Sequence, residues 1–402
     1  MLFVSSVPAR SSPLLALALV ACGDNTSGID AGFVEAPHAS APQVVMNGGP
    51  ILAAPEIVPM FFAGDSDMQS QVEAFLHALA PSTYWSAVVG EYGVGAPTVM
   101  PTIVSTETPP TTDDALRGLL EGYFGPPISD LAPGSPDGWP RPNANTIYVV
   151  FLPPGVQLTA GTSVSCRDFG AYHDETADTR IVYALVPRCQ TMHAPIDAIT
   201  PALSHELIEA ATDPHPESKP GWVGVDDADA VWDFTPGPEL GDMCEYVAAA
   251  YQRLVGEYVV QRTWSNASAA AGHDPCVPAF IAPYVAAAPA LDVITFAFPG
   301  GGSTKTRGIA VPNGESRTVD VQLFSDATSL DWTVAVQDVA SIVMHLPAEL
   351  DVSLDNTLGT NGDTLHLTIK RLKNGDGGGS EFVVRSRVSG VTVSLWWGLV
   401  TN

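Results

Sequence analysis

Within the 402-residue chain, the run Ser204-His205-Glu206-Leu207-Ile208-Glu209 holds side chains suited to metal chemistry. In a helix, His205 and Glu209 stand four apart and share one face, a turn from each other. A histidine nitrogen and a carboxylate oxygen so placed grip one divalent cation, and His plus Glu plus water is an ordinary catalytic zinc arrangement. Zinc acidifies water and polarises a carbonyl, and Glu206, beside His205 in sequence, is placed to act as general base. The competing interpretation is an amphipathic helix whose polar face merely shows a His and two Glu. The rest of the helix weighs against it. Ile199, Leu203 and Leu207 or Ile208 make an apolar stripe, and Ala210 and Ala211 permit close packing. A buried helix that projects His205, Glu209 and Asp213 together needs a reason for its charges.

The elements that must position these residues read as follows. Pro195–Thr212 is expected as the helix, stopped by Asp213-Pro214. Pro50–Phe62 reads as a strand and Ser66–Leu79 as a helix with apolar spacing through Val72, Phe75, Leu76 and Leu79. Thr111-Thr-Asp-Asp114 resembles a capping box opening a helix over Asp113–Gly122. Thr146–Leu152 and Arg180–Val186 are near-continuous apolar runs, as strands inside a sheet require. Interleaved helices and strands point to an α/β or α+β sheet domain over residues 44–280, with the strand order left open.

The run His205-Glu206-x-x-Glu209 resembles the His-Glu-x-x-His helix of zincin metallopeptidases, with Glu209 where the second His stands. Gluzincin-type members take a third ligand, a Glu, from a later element. That resemblance makes Glu239, thirty positions beyond Glu209, the expected third zinc ligand and Asp242 its alternate. The acidic run Asp226-Asp227-Ala228-Asp229 offers calcium-type oxygen ligands but lacks EF-hand spacing. A second resemblance joins several segments. These are Asn47–Leu52, Ser82–Trp85, Phe169-Gly-Ala-Tyr-His173, Ser204–Pro214, Gly221-Trp222, Glu239–Cys244 and Gln261–Asn266. Together they resemble exported bacterial proteins distantly similar to the plant exordium, or phosphate-induced, family. The resemblance spans about Val44 to Val277 and implies an extracellular setting; it does not imply peptidase activity, since plant members lack the His-Glu pair. His173 is either a further ligand or oxyanion donor, or an exposed loop residue. His193 and His215 have no better claim, and no Gly-x-Ser-x-Gly elbow supports serine hydrolysis.

Other features bound the setting. Arg10, the apolar run Leu14–Ala21 and Cys22 read as an export signal (residues 1–21), too short to span a bilayer at roughly 20 residues. Leu19-Val-Ala-Cys22 resembles a lipobox, so Cys22 is the expected lipidation site and the only expected membrane attachment. Residues 22–43 have the composition of a tether. Acidic residues number 44 against 17 basic, a formal charge of −27 that repels nucleic acid and anionic membranes. Four further cysteines suggest two disulfides, Cys166–Cys189 and Cys244–Cys276, each closing a local loop; a thiolate zinc site is the alternative.

Only Pro299, Pro312 and Pro347 of 35 prolines lie beyond Ala290, and Ile281–Pro289 reads as a linker. Beyond it, alternating runs are expected as strands: Asp292–Phe298, Arg317–Phe324, Leu330–Asp338, Leu350–Leu354, Thr364–Arg371, Glu381–Val388 and Val391–Val400. They suggest an all-β, immunoglobulin-like sandwich over residues 290–402, accessory in role, with Trp332, Trp396 and Trp397 as core or ligand platform. Two functions remain. One is a lipid-anchored zinc metallopeptidase acting on a peptide or cell-surface polymer, with His205, Glu209 and Glu239 on zinc and Glu206 as base. The other is a non-catalytic, exordium-like surface protein whose metal is structural or absent.

Overall fold

The computed structural model describes residues 33–124, 139–177, 181–189, 194–279, 281–373, 375 and 378–402. The signal, Cys22 and His193 lie outside the described residues. The first part of the chain is a mixed α/β unit built on one sheet, in the order Thr98–Val99, Glu56–Phe62, Thr146–Phe151, Val182–Val186, Tyr172–Glu175. Ile103–Ser105 pairs further along Glu56–Phe62. The pairings are parallel except the last, where Tyr172–Glu175 runs antiparallel along Val182–Val186 and forms the edge.

Both faces of the central strands are buried, which is why their sequences are apolar without alternation. Val58, Met60, Phe62, Tyr148 and Val150 pack on one side with Leu116 and Leu120 of the helix Asp113–Phe124. Ile57, Phe61, Ile147, Val149 and Phe151 pack on the other, with Val72 and Phe75 of the helix Ser66–Leu79 and Leu203 and Leu207 of the helix Pro195–Thr212. The expected strand over Pro50–Phe62 begins only at Glu56. The segment before it is hydrogen-bonded elsewhere, Leu52 donating to the Ala211 carbonyl and Ala53 accepting from the Gly95 amide.

The carboxyl-terminal part forms two sheets, of four and six strands. Strands at Leu350–Leu354 and Thr364–Arg371 fall as expected. Three more, Val285–Pro289, Ser303–Ala310 and Leu358–Gly359, lie outside the alternating runs. The second half of the expected linker is therefore a strand, hydrogen-bonded along Ser316–Ser325. Its Val-Ala-Ala-Ala sequence is small enough to be buried on both faces, and burial rather than periodicity makes it a strand. Trp332, Trp396 and Trp397 are 1–3% exposed, so they are core.

One apolar core runs from the α/β unit into these sheets. Trp232 meets Trp396 at 6.0 Å, Tyr246 meets Trp397 at 5.9 Å, and Arg307 Nε donates to Asp229 at 2.8 Å. The described end of the expected tether also packs down: the His38 ring stacks on Phe324 at 3.6 Å, and Asn361 bonds Val34 and Ala36.

Candidate metal centre

The helix Pro195–Thr212 carries the site. Pro195 opens it, where a missing amide hydrogen loses nothing, and Pro201 lies inside it. Ser204 Oγ donates to the Pro201 carbonyl and accepts from the Gln261 amide, tying the helix to the strand Tyr258–Gln261. The helix also packs against Val182–Val186 and the edge strand Tyr172–Glu175. His205, Glu206 and Glu209 thus lie between the edge strand, which brings His173 to Glu206 and Glu209, and the short helix Asp242–Glu245, which brings Asp242 to His205.

Glu209 is the centre of the arrangement. Its Oε1 accepts from the amides of Gly241 at 3.0 Å and Asp242 at 3.2 Å. Its Oε2 lies 3.0 Å from His205 Nε2 and 3.7 Å from His173 Nδ1. Asp242 Oδ1 is 3.5 Å from His205 Nε2. Each imidazole is oriented from behind. The Gln261 Oε1 stands 3.1 Å from His205 Nδ1, and the Gln261 side-chain amide donates to the Gly241 carbonyl at 2.6 Å. The Asp213 carbonyl stands 3.1 Å from His173 Nε2. Donation from Nδ1 leaves His205 Nε2 as an acceptor, the way ligating histidines are commonly held by the group behind them. His173 faces carboxylates on both sides, Nδ1 toward Glu206 and Glu209 and Nε2 toward Glu239 at 3.4 Å. Glu206 Oε2 lies 3.5 Å from His173 Nδ1.

Two groups of three have donor atoms within 4.8 Å of one another: His205, Glu209 and Asp242, and His173, Glu209 and Glu239. The expected third ligand, Glu239, is therefore grouped with His173. Asp242, the alternate, is the carboxylate that joins His205. The cause is local: the Gly241 and Asp242 amides clasp Glu209, and the Asp242 side chain follows them to the His205 side. Gly241 has to lack a side chain, since a Cβ there would lie 2.7 Å from both Glu209 Oε1 and His205 Nδ1.

The electrostatics follow from burial and from the crowding of carboxylates around two imidazoles. Burial opposes charge on His205 and His173, but Glu209 and Glu206 beside the first, and Glu239, Glu206 and Glu209 beside the second, push both well above the ordinary imidazole value. Glu209 is held below its ordinary value despite burial, by His205 and then His173. Burial and neighbouring carboxylates push Glu239 and Asp242 well up. Glu239 Oε1 lies 3.4 Å from His173 Nε2, and the Glu239 carboxyl, pushed up, also hydrogen-bonds Asp213.

His173 lies on the edge strand, 8% exposed, and belongs to the buried cluster rather than to an exposed loop. His215 does not: its Nδ1 pairs with Glu175 Oε2 at 2.8 Å. The acidic run is engaged otherwise, Asp226 Oδ1 accepting from the Gln43 amide and Asp229 from Arg307; among the described residues it forms no three-ligand group. The cysteines close the disulfides Cys166–Cys189 and Cys244–Cys276, so they are not zinc thiolates. Cys244 sits in the helix that opens with Asp242, and its bond braces that side of the cluster. Sequence reasoning missed Gln261 as a positioning residue. It lies at the end of a strand remote from the motif, and only its place in the Gln261–Asn266 segment marked it.

No family model matches the chain, and no curated protein matches it significantly. Among solved structures, 27% of the chain is similar to 95% of a conjugative transposon lipoprotein from Bacteroides eggerthii, at 12% identity and a TM-score of 0.17. A Bacteroides ovatus GH5 xyloglucanase in complex with a XXXG heptasaccharide matches over 23% of this chain and 17% of its own, at 10% identity and a TM-score of 0.15. At TM-scores this low, neither likeness bears on the chemistry of the site. The disulfides fit an oxidising, extracytoplasmic compartment. No described helix is long and apolar enough to cross a membrane.

Proposed function

We propose that the chain is an exported zinc-dependent hydrolase, a metallopeptidase, held to the cell envelope by a lipid on Cys22. The observation that carries the reading is the convergence of His205 Nε2 with Glu209 Oε2 at 3.0 Å and Asp242 Oδ1 at 3.5 Å. Those spacings suit the edges of a tetrahedron about an ion with ligands at roughly 2.0–2.2 Å. His205, Glu209 and Asp242 would hold zinc, which supplies Lewis acidity toward a carbonyl and water. Glu206, buried on the same helix, takes the proton from water and returns it to the leaving amine. Gln261 and the Gly241 and Asp242 amides hold the ligands in place.

In this reading Pro195–Thr212 is a zincin-like helix and the paired carboxyl-terminal sheets are an immunoglobulin-like accessory unit. A peptide is the favoured substrate because the edge strand Tyr172–Glu175 brings His173 to the site, and no described strand pairs with its outer side. An extended peptide can add to such an edge by main-chain hydrogen bonds.

Paired variants test the proposal. Glu206→Gln keeps shape and removes the base, so zinc and stability should persist while cleavage of a peptide library drops by about 10²–10⁴. His205→Ala should lose zinc and activity together. Unchanged cleavage by Glu206→Gln refutes the mechanism. A wild type that holds zinc tightly and cleaves nothing favours the non-catalytic, exordium-like surface protein.

A further inference from the structure

The geometry points to a second divalent cation beside the first, held by His173, Glu209 and Glu239, with Glu209 Oε2 bridging the two ions. This rests on the metal site proposed above and extends it from one ion to two.

Three observations converge. The first is the sharing of Glu209. Its Oε1 is occupied by two backbone amides, so Oε2 alone is left, and His205 Nε2 and His173 Nδ1 face it at 3.0 and 3.7 Å. The second is that the imidazoles fall in separate triads, which have only Glu209 in common. An ion bound at roughly 2.1 Å spans ligand atoms no more than about 4.2 Å apart, so one ion serves one triad. Two ions sharing a carboxylate oxygen are what the donor set accommodates, and paired catalytic ions typically sit about 3.5–4 Å apart.

The third observation is charge. Glu206, Glu209 and Asp213 are at most 4% exposed, and the Glu239 and Asp242 side chains are 15% and 20% exposed. Among the described residues, the ion-pair partners of Glu206, Glu209, Glu239 and Asp242 are the two imidazoles alone. Imidazoles that ligate metals are neutral. A divalent cation is the counter-charge that this cluster lacks among the described residues. The second ion would draw on Glu239 Oε1, which lies 3.4 Å from His173 Nε2. Mixed imidazole and carboxylate donors suit zinc and manganese.

The test is metal stoichiometry on the purified protein after chelator treatment and dialysis. Titration with Mn(II) should show two equivalents bound, and electron paramagnetic resonance of the loaded protein should show an exchange-coupled pair. His173→Ala, and independently Glu239→Gln, should bind one equivalent and give an uncoupled spectrum, with circular dichroism unchanged. One equivalent in wild type and variants alike overturns the second ion and leaves the first site standing. Two uncoupled equivalents in wild type overturn the Glu209 bridge. No bound metal in any form, with Mn(II) or Zn(II), overturns both readings.

Discussion

Gln261 gives the sharpest single perturbation, because it touches no proposed metal ion and yet holds two parts of the site. Its side chain is almost fully buried, with Oε1 3.1 Å from His205 Nδ1 and Nε2 2.6 Å from the Gly241 carbonyl. Gln261→Leu keeps the approximate volume and the backbone bonds, including the one accepted from Tyr84 Oη. It strands a buried imidazole N–H and a buried carbonyl, at about 1–3 kcal/mol each. Metal-free stability should fall by about 2–6 kcal/mol in urea unfolding, the sum of those two losses. Zinc affinity should fall by about 10–100-fold, the usual effect of removing the partner behind a ligating histidine. The upper end is expected here, since Gly241 also clasps Glu209 and moves when its carbonyl is released. Competition against a chromophoric chelator reads the affinity, and His205→Ala sets the floor. A folded Gln261→Leu protein whose zinc Kd stays within about twofold of wild type would refute the idea that Gln261 sets the His205 tautomer.

Three further outcomes are expected. Gly241→Ala would put a Cβ 2.7 Å from Glu209 Oε1 and His205 Nδ1, so it should weaken zinc binding at least about tenfold in the same assay. Thiol titration of the denatured, unreduced protein should find none of Cys166, Cys189, Cys244 and Cys276 free. The loops closed, with separations of 23 and 32 residues, make each bond worth about 3–4 kcal/mol in unfolding experiments with and without reductant. Burial pushes the Glu381 carboxyl from 4.5 up to about 7. With the folded value above the unfolded one, its contribution is full below pH 4.5 and lost as pH rises through about 7. Glu381→Gln should match wild type in urea unfolding at about pH 4, where the carboxyl is protonated in both states. At about pH 8 it should be more stable than wild type, by on the order of 1–3 kcal/mol.

Local elements are legible in the chain itself. The helices Ser66–Leu79 and Pro195–Thr212 follow from 3.6-residue apolar spacing, with Pro195 at the start of the second and Asp213-Pro214 at its end. The strands at Thr146–Phe151 and Thr364–Arg371 follow from apolar and alternating runs. The spacing of His205 and Glu209 puts them on one helical face by backbone geometry alone, and short loop lengths are enough to pair the cysteines. Other features depend on contacts that periodicity does not carry. Val285–Pro289 has the composition of a linker and becomes a strand because it is buried between sheets. Gly241 turns the chain so that Asp242, rather than Glu239, meets His205, while the edge strand delivers Glu239 its histidine, His173. Ligands four residues apart on one helix are fixed by the helix. Ligands from distant parts of the chain, such as His173, Glu209 and Glu239, are fixed by which amides and carbonyls remain to be satisfied when the core closes. That is a property of the whole fold.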